Sequence, residues 1–325
     1  MTDTYLSWPA VCAGTAHPIV ELLSDPQRNM ARDGEIWALV RDGFTDYRRF
    51  DGDPLEMAQA VMVAAAERAN IDRKQVDAVL FATDSFWENE IDQSGGSYYH
   101  GWSRYRLLQT IRSAGFVNAQ PYASWMSACG NLGAALSLAR GLIASGQHQT
   151  ILIVSFDKIP AGTSRLMGNG TSLFSDGAVG VIVSTRPQPL QLTALASRSS
   201  PRLSDPEIMY QAANPALAMM ETVKAVFQVK SAFTAQSGTA PSDFKWLLMP
   251  NLRADVMAAL AGLLGAKAER LRRDSFQNFA HMHANDNLLT LLAMEEGGEI
   301  EPGDEVVLFN AGTWAWHLAS IRKLH

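Results

Sequence analysis

The sequence predicts an α/β fold built from one unit that occurs twice. Apolar, strand-like runs alternate with segments of helical periodicity, which is typical of parallel sheets covered by helices. In the second half, a helix at Ala216–Ala235 precedes the strand Asp243–Met249, as a helix precedes the strand Val76–Phe81 in the first half. A doubled unit of this kind implies two stacked sheets with helices between and outside them, in five layers, α-β-α-β-α.

A second repeat surrounds a cysteine. The helical segment after Cys129 ends before the strand Thr150–Ser155, and Leu288–Glu296 precedes Val306–Phe309 in the same way. Pro187 and Pro189 mark the best boundary between the halves, because proline clusters interrupt regular structure. We therefore predict an N-terminal half at 1–186, which carries the cysteine, and a C-terminal half at 187–325.

The remaining elements of the first half follow from local pattern. The glycines of Gly168–Gly177 do not have the Gly-x-Gly-x-x-Gly spacing, so a nucleotide-binding loop is rejected. The aromatic-rich segment Asp84–Trp102 fits a pocket rim or a subunit contact as well as it fits an ordinary surface loop. The other predicted elements are a strand at Tyr5–Gly14, an irregular polar segment at Ile19–Phe50, helices at Pro54–Asn70 and Tyr105–Ala114, and strands at Pro121–Ala128 and Ala178–Ser184.

Composition excludes several classes of protein. The 325 residues are 47% hydrophobic and 18% charged, with a net charge of −6, which is typical of a globular protein and unfavourable for a nucleic-acid surface. No run is long enough for a membrane span, and Met1–Tyr5 lacks the features of a signal peptide, so we expect a cytoplasmic protein. Cys12 and Cys129 are the only cysteines, which excludes a disulfide framework; Cys12 fits a core strand.

Cys129 lies where an extended run meets the start of a long helix. A thiol at a helix N-terminus faces the positive end of the backbone dipole and unpaired N–H groups, which favour the thiolate and can hold an oxyanion. The position therefore suits a nucleophile. The competing interpretation is a buried, unreactive cysteine, a common state of free thiols.

The segments around Cys129 resemble those of a known family. Ser127–Gln147, Thr150–Ser155, Leu173–Val181 and Ile300–Phe309 follow one another as in the ketoacyl-ACP synthase III branch of the thiolase superfamily. This resemblance covers most of the chain. It implies the five-layered thiolase arrangement that the repeat also indicates, a homodimer, and acyl-CoA or acyl carrier protein as partner.

The duplication also predicts which residues face Cys129. Cys129 lies 22 residues before Ile151, and His281 lies 25 residues before Val306, so symmetry between the halves would bring the two together. An imidazole there can take the thiol proton, and Asp286 can fix its orientation. His283 competes for this role, but His281 occupies the position of the family's catalytic asparagine.

A metal site is the other interpretation of these histidines. His-x-His with a nearby Asp begins some metal sites, but no further His, Cys or Asp cluster in the sequence completes this one. We therefore expect no bound metal and no bound cofactor.

The chain departs from the family's decarboxylating synthases, which use Cys, His and Asn. Their histidine lies in a Pro-His-Gln-Ala-Asn motif, where this chain has Met249–Arg253; with Pro250 as anchor, Asn251 replaces that histidine. The spacing of His281 and Asp286 instead resembles acyltransferase offshoots of the family from aromatic-polyketide and glycosylated antibiotic pathways. A carbanion site needs two donors on one thioester oxygen, whereas O- or N-acylation needs a base for the incoming nucleophile.

The resemblance implies a two-step acyl transfer. The Cys129 thiolate would attack an acyl thioester, and its own N–H and one from the Phe309–Trp314 turn, Ala311 or Gly312, would form the oxyanion hole. That turn is one residue shorter than the family's glycine-rich loop. Asn251 would hydrogen-bond an intermediate, and Arg253 would bind CoA or carrier protein, with Arg270, Arg272 and Arg273 possible additions to a basic rim or ordinary helix surface.

Three functions follow from these residues. The first is an acyltransferase of secondary metabolism that acts on the hydroxyl, amine or carbon of a small-molecule acceptor. The second is a condensing enzyme that forms carbon–carbon bonds, and the third is a non-catalytic partner subunit. The combination of Cys129, His281 and Asp286 disfavours the third.

Overall fold

The structure is a computed structural model that describes residues 2–24, 30–85, 102–204 and 215–325. Its strands are β1 (Tyr5–Leu6), β2 (Ala10–Ala13), β3 (Thr15–Pro18), β4 (Asp46–Arg49), β5 (Ala78–Ala82), β6 (Gln120–Ser124), β7 (Thr150–Asp157), β8 (Gly177–Ser184), β9 (Leu190–Ser199), β10 (Trp246–Leu248), β11 (Leu271–Arg272), β12 (Glu305–Ala311) and β13 (Ala315–Lys323). Its α-helices are α1 (Asp33–Arg41), α2 (Pro54–Arg68), α3 (Trp102–Ser113), α4 (Asn131–Ala144), α5 (Pro215–Ser237), α6 (Ala254–Leu264), α7 (Phe276–Phe279) and α8 (Asp286–Glu296).

The two halves have the same strand pairing. In the first, β5 lies between the parallel strands β6 and β7, and β7 pairs antiparallel with β8. In the second, β10 lies between the parallel strands β11 and β12, and β12 pairs antiparallel with β13. The short strand β1 pairs with both β8 and β9 and so joins the half-sheets into one hydrogen-bonded path. The doubled unit predicted from the sequence is confirmed.

The layers follow from the alternation of side chains along the strands. On the outer face of the first half-sheet, Val79 and Phe81 pack with α2 and α3. The opposite face, which includes Leu80, shares a core with α4, α8 and Leu308 of the second half-sheet. The outer face of that half-sheet, which includes Val307, packs with α5 and α6. This order of helices and half-sheets is the predicted α-β-α-β-α arrangement.

Two predictions for the N-terminal segment are wrong. The single strand expected over Tyr5–Gly14 is divided into β1 and β2, and Pro9 between them has no N–H for a sheet ladder. The segment Ile19–Phe50 is not irregular, since it contains α1 and β4, and Ile36 and Leu39 of α1 are buried in a small core of their own.

Several elements of the second half were not predicted from the sequence, and three of them are long. The strand β9 follows directly after the proposed boundary, and its buried and half-buried residues alternate with the period of two that a strand requires. The other two are α6, which follows Arg253, and β13.

Some predictions cannot be compared with the structure. The aromatic residues Phe86, Trp87, Tyr98 and Tyr99 of the predicted pocket rim or subunit contact lie outside the described residues. The division into halves at residue 186 stays a prediction. Among the helices that the structure describes, none combines the length and apolar composition needed to cross a membrane.

Candidate active site

Cys129 lies in a 3₁₀ turn, Ala128–Gly130, between β6 and α4. The preceding residue, Ala128, has a φ of +48°, a left-handed conformation that costs a non-glycine residue about 1 kcal/mol or more. The turn is closed by the Gly130 N–H, which donates to the Ser127 carbonyl oxygen at 2.8 Å. Both cysteines are half-buried as whole residues, but the environment of the Cys129 sulfur is buried. Cys12 lies on β2 and packs against the outer core of the first half, as expected for a core strand.

The histidine loop has the equivalent place in the second half. It lies between β11 and α8, as the Cys129 turn lies between β6 and α4, and its 3₁₀ turn His283–Asn285 contacts the Cys129 turn. Ala280 and His283 have φ values of +45° and +50°, so strained residues occur in both loops. The structure therefore places the two helix starts against each other, as the duplication predicts.

His281 and Asp286 form a buried pair. The His281 Nδ1 and the Asp286 Oδ2 are 2.5 Å apart, and the two side chains are 1% and 2% exposed. The same carboxylate accepts the backbone N–H groups of Met282 and Asn251, each at 2.7 Å. These bonds fix the imidazole and leave its Nε2 as the nitrogen that can act on the thiol; Nε2 makes no other hydrogen bond within the described chain.

The thiol and imidazole change each other's protonation. Burial raises the pKa of the Cys129 thiol, and the neighbouring His281 only partly opposes this. Burial alone would lower the pKa of His281, but Asp286 and Cys129 hold it well above its ordinary value. Desolvation of the sulfur thus outweighs the charge of His281, and the predicted effect of the helix start on the thiolate stays a prediction.

This balance predicts how Cys129 reacts with iodoacetamide. Because the pKa of the thiol is raised, its alkylation should be slow at neutral pH and accelerate as the pH rises. His281→Ala removes a group that lowers the pKa of the thiol, so alkylation of Cys129 at neutral pH should slow by about tenfold, one pKa unit. Peptide mass spectrometry measures both cysteines at once, and Cys12 is the internal control; equal slowing at both sites would contradict the prediction.

Asn251 does not have the predicted role. It is fully buried, and its side-chain Nδ2 donates to the Ser275 Oγ at 2.9 Å and to the Ala280 carbonyl oxygen at 2.6 Å. Both amide hydrogens are thus engaged in holding the histidine loop. The prediction that Asn251 hydrogen-bonds an intermediate does not fit this arrangement; Asn251 supports His281 and Asp286 from behind.

The turn between β12 and β13 distinguishes the two predicted oxyanion donors. The Gly312 N–H donates to the Ala315 carbonyl oxygen at 2.8 Å, so it is already engaged. Ala311 and Trp316 then form a pair that exchanges no hydrogen bonds, and the Ala311 N–H points away from β13. Beside the N–H of Cys129, Ala311 is therefore the donor that stays available. The Trp314 Nε1–H donates to the Met126 carbonyl oxygen at 2.5 Å and holds this turn against the nucleophile loop.

Gly312 has a steric role instead. A Cβ added there would overlap the Ser127 carbonyl oxygen, a backbone atom of the nucleophile turn. Gly312→Ala should therefore displace Cys129 and lower its acylation rate by about 10²-fold, since misplacement by about 1 Å has that effect. Gly262→Ala in α6 is the matched control, because its Cβ would meet nothing within 4 Å. The rate of Cys129 acylation, measured in both variants by quenching samples at intervals, tests this prediction. A normal acylation rate in Gly312→Ala would contradict it.

The predicted basic rim is largely neutralised. Arg253 forms an ion pair with Asp255, with nitrogen–oxygen distances of 3.0 and 2.6 Å. Arg270 donates to backbone carbonyl oxygens, Arg272 pairs with Asp274 and Glu299, and Arg273 pairs with Asp42. A role of Arg253 in binding CoA or carrier protein stays a prediction.

A cavity of about 540 Å³ is also lined by arginines, and each of them pairs with a carboxylate: Arg32 with Glu35, Arg49 with Asp51 and Arg165 with Asp176. Its lining includes Arg32, Arg49 and Arg165, together with Tyr47 and Asp51. Leu166, also in the lining, forms a bridge with Leu173, whose neighbour Phe174 pairs with His281 and stacks on His283 at 4.7 Å. The bridged residues Leu166 and Leu173, with Phe174, thus lie between this cavity and the two histidines.

A carboxylate that was not predicted from the sequence lies beside the nucleophile. Among the described residues, an oxygen of Asp84, the Cys129 Sγ and a ring nitrogen of His283 all lie within 4.8 Å of one another. The premise that no other ligand-type residue joins the histidines was therefore wrong, whereas the absence of a metal stays a prediction. The position of Asp84 in the sequence could have indicated this role. Asp84 lies just after the buried strand β5, and catalytic groups of α/β proteins gather at the carboxyl ends of strands.

Two family models match the chain. The model of 3-oxoacyl-[acyl-carrier-protein (ACP)] synthase III matches residues 125–200, and the model of its C-terminal domain matches residues 234–322. The first matched region includes Cys129, and the second includes His281, Asp286 and the turn at Gly312.

Sequence and structure comparisons agree with these matches. A β-ketoacyl-[acyl-carrier-protein] synthase III of Synechococcus elongatus is 23% identical over 337 residues, which cover 95% of each chain. The structure of the acyltransferase ChlB3 has a TM-score of 0.80 at 16% identity and covers 99% of this chain and 98% of that one. The 3-oxoacyl-(acyl carrier protein) synthase III of Pseudomonas aeruginosa has a TM-score of 0.75 at 18% identity, with 99% of both chains covered.

Proposed function

Since the chain belongs to the 3-oxoacyl-[acyl-carrier-protein] synthase III family of thiolase-fold proteins, we propose that it is an acyltransferase with a covalent intermediate on Cys129. It takes an acyl group from a CoA or carrier-protein thioester and passes it to a small-molecule acceptor of secondary metabolism. The likeness to ChlB3, described as an acyltransferase, supports this choice within the family.

The observation that carries the proposal is the His281–Asp286 pair beside Cys129. A histidine held by a carboxylate can move protons to and from sulfur, because the carboxylate fixes the tautomer and stabilises the imidazolium. In the first step, the His281 Nε2 takes the proton of the Cys129 thiol, the sulfur attacks the thioester carbonyl, and the N–H groups of Cys129 and Ala311 bind the oxyanion. The donor's thiol then leaves with a proton from His281.

The cavity lined by Arg32, Arg49 and Arg165 is the proposed approach of the donor. Its volume of about 540 Å³ lies within the range of small-molecule sites, and a phosphate bound by its three guanidinium groups would compete with the carboxylates that pair with them. The predicted role of Arg253, binding of CoA or carrier protein, stays a separate part of the proposal.

The engaged side chain of Asn251 argues against the condensing alternative. Decarboxylation of a malonyl thioester needs two hydrogen-bond donors on one thioester oxygen, and the amide hydrogens of Asn251 bind Ser275 and Ala280 instead. A homodimer and a cytoplasmic location stay predictions.

The test is a mass measurement on the intact protein after incubation with a panel of acyl-CoA thioesters, malonyl-CoA and the matching carrier-protein thioesters. We expect a mass increase equal to one intact acyl group and no carbon dioxide from the malonyl donors. Release of carbon dioxide would favour the condensing alternative. No adduct from either kind of donor would favour the non-catalytic partner subunit.

A further inference from the structure

A second acid–base pair lies on the sulfur of Cys129, apart from His281 and Asp286. Its members are Asp84 and His283, and one atom of each lies within 4.8 Å of the Cys129 Sγ and of the other. Asp84 follows β5 and Cys129 follows the neighbouring parallel strand β6, so both emerge at the same edge of the half-sheet. Two pairs of histidine and aspartate therefore flank one nucleophile.

Hydrogen bonds hold Asp84 through both its side chain and its backbone. The Asn131 Nδ2, at the start of α4, donates to the Asp84 Oδ1 at 2.8 Å, while the Asn131 Oδ1 accepts the Ser127 N–H at 3.0 Å. The Asp84 N–H in turn donates to the buried carboxylate of Asp157 at 2.7 Å. These bonds fix the position of the Asp84 carboxylate near the Cys129 sulfur.

His283 is a buried side chain with unused hydrogen-bonding capacity. It is 6% exposed, and neither ring nitrogen has a hydrogen-bond partner within the described chain. Stacking on Phe174 holds the ring, with centroids 4.7 Å apart. Burial, and then the charges of His281 and Arg165, lower the pKa of His283 well below its ordinary value. The ring is therefore neutral near pH 7 and offers one N–H donor and one acceptor.

A second base is useful whenever His281 is protonated, because an imidazolium cannot take the proton of the acyl acceptor. Asp286 and Cys129 raise the pKa of His281 well above its ordinary value, which favours the imidazolium that forms when His281 takes the thiol proton. Burial raises the pKa of Asp84 to about 6, against the Asn131 hydrogen bond and the charge of His281. At pH 7 to 8 Asp84 is mostly ionised, yet its basicity is close to that of an imidazole, which suits a general base.

We propose that Asp84 removes the proton of the acyl acceptor, that neutral His283 positions the acceptor's oxygen or nitrogen, and that His281 with Asp286 serves the thiol. This inference rests on the proposed acyl transfer and deepens it. It assigns the acceptor to the class of alcohols and amines, which carry a proton on the attacking atom.

The second half-reaction then balances. The acceptor's oxygen or nitrogen forms a bond to the acyl carbon, and its proton passes to the Asp84 carboxylate. The bond between carbon and the Cys129 sulfur breaks, and its electron pair stays on the sulfur. The proton on Asp84 then moves to that sulfur, which lies within 4.8 Å, and restores the thiol and the carboxylate. The product is an ester or an amide.

The experiment separates the two half-reactions of the full chain. Cys129 is loaded with one acyl group from acyl-CoA, excess donor is removed, and loss of the acyl mass is followed with water alone and with ethanolamine as probe acceptors. Asp84→Asn keeps the hydrogen bond to Asn131 possible, so we expect loading within about threefold of the unchanged protein and deacylation about 10²-fold slower, as for loss of a general base. Asp243→Asn is the control, because this exposed carboxylate lies outside the proposed site and its side chain accepts a surface hydrogen bond from Ser242.

The pH profile identifies the carboxylate. Deacylation of the unchanged protein should fall as the pH drops through about 6, the pKa to which burial raises Asp84, and Asp84→Asn should remove this fall. The titratable groups that face Asp84 are Asp157, Cys129, His281 and His283. An unchanged pH profile in Asp84→Asn would assign the fall to one of those groups and overturn the proposal.

A second variant keeps the test open if Asp84→Asn fails to fold. Asparagine tolerates the left-handed backbone at residue 283, so His283→Asn removes the imidazole without adding strain. We expect normal loading and deacylation slowed by about tenfold, the loss of a single positioning hydrogen bond of about 1.4 kcal/mol. Equal slowing of loading and deacylation, unchanged deacylation in both variants, or loss of transfer with a metal chelator would each overturn the proposal. Failure of the unchanged protein to load would instead reject the acyltransferase function itself.

Discussion

Cys129→Ala should abolish the acyl adduct and reduce acyl transfer by at least about 10⁴-fold, since without the sulfur no covalent intermediate can form. The expected fold is unchanged, because the substitution removes only the sulfur atom and adds no group that the half-buried site must accommodate. Intact-mass measurement after incubation with the acyl donor gives the adduct, and product formation gives the rate.

Cys12→Ala is the matched control for this variant. Cys12 lies on β2, paired with β8, and its removal should leave the adduct and the rate unchanged. An adduct that persists in Cys129→Ala would move the nucleophile elsewhere. Transfer at an unchanged rate without any adduct would indicate direct attack of the acceptor on the donor thioester.

Asp286→Asn should lower the rate of Cys129 acylation by about 10³- to 10⁴-fold, as expected when a histidine loses the carboxylate that fixes its tautomer. In the structure the Asp286 carboxylate accepts the His281 Nδ1–H and two backbone N–H groups. An asparagine would present an NH₂ group to some of these donors, so we also expect a lower melting temperature. Because Asp286 raises the pKa of His281, the variant should lose the His281 proton at lower pH.

The double variant distinguishes a catalytic pair from a structural one. If His281 and Asp286 act as a unit, His281→Ala combined with Asp286→Asn should be no slower than the slower single variant. Additive losses would show that Asp286 acts independently of His281. Melting temperatures of all three variants separate loss of folding from loss of catalysis.

Local sequence patterns predicted much of the fold and the positions of Cys129 and His281. The helical spacing after Cys129 and the apolar runs at β5, β7 and β12 are properties of short segments, and their recurrence in the second half predicted the layers. The same recurrence placed Cys129 and His281 at equivalent helix starts, which the structure brings into contact. The short spacing of His281 and Asp286 was enough to predict their pairing, because one turn of chain joins them.

Only the tertiary structure decided the rest, because it depends on groups that are distant in sequence. Asn251 stands in a motif position of the family, yet its amide is engaged by Ser275 and Ala280, and no pattern predicts that. The raised pKa of the Cys129 thiol is a balance between burial and charge, which a helix start alone does not give. Asp84 and Cys129 are 45 residues apart in the chain, and parallel pairing of β5 and β6 places them at one sheet edge. Long-range pairing, not local sequence, brings the second carboxylate to the sulfur.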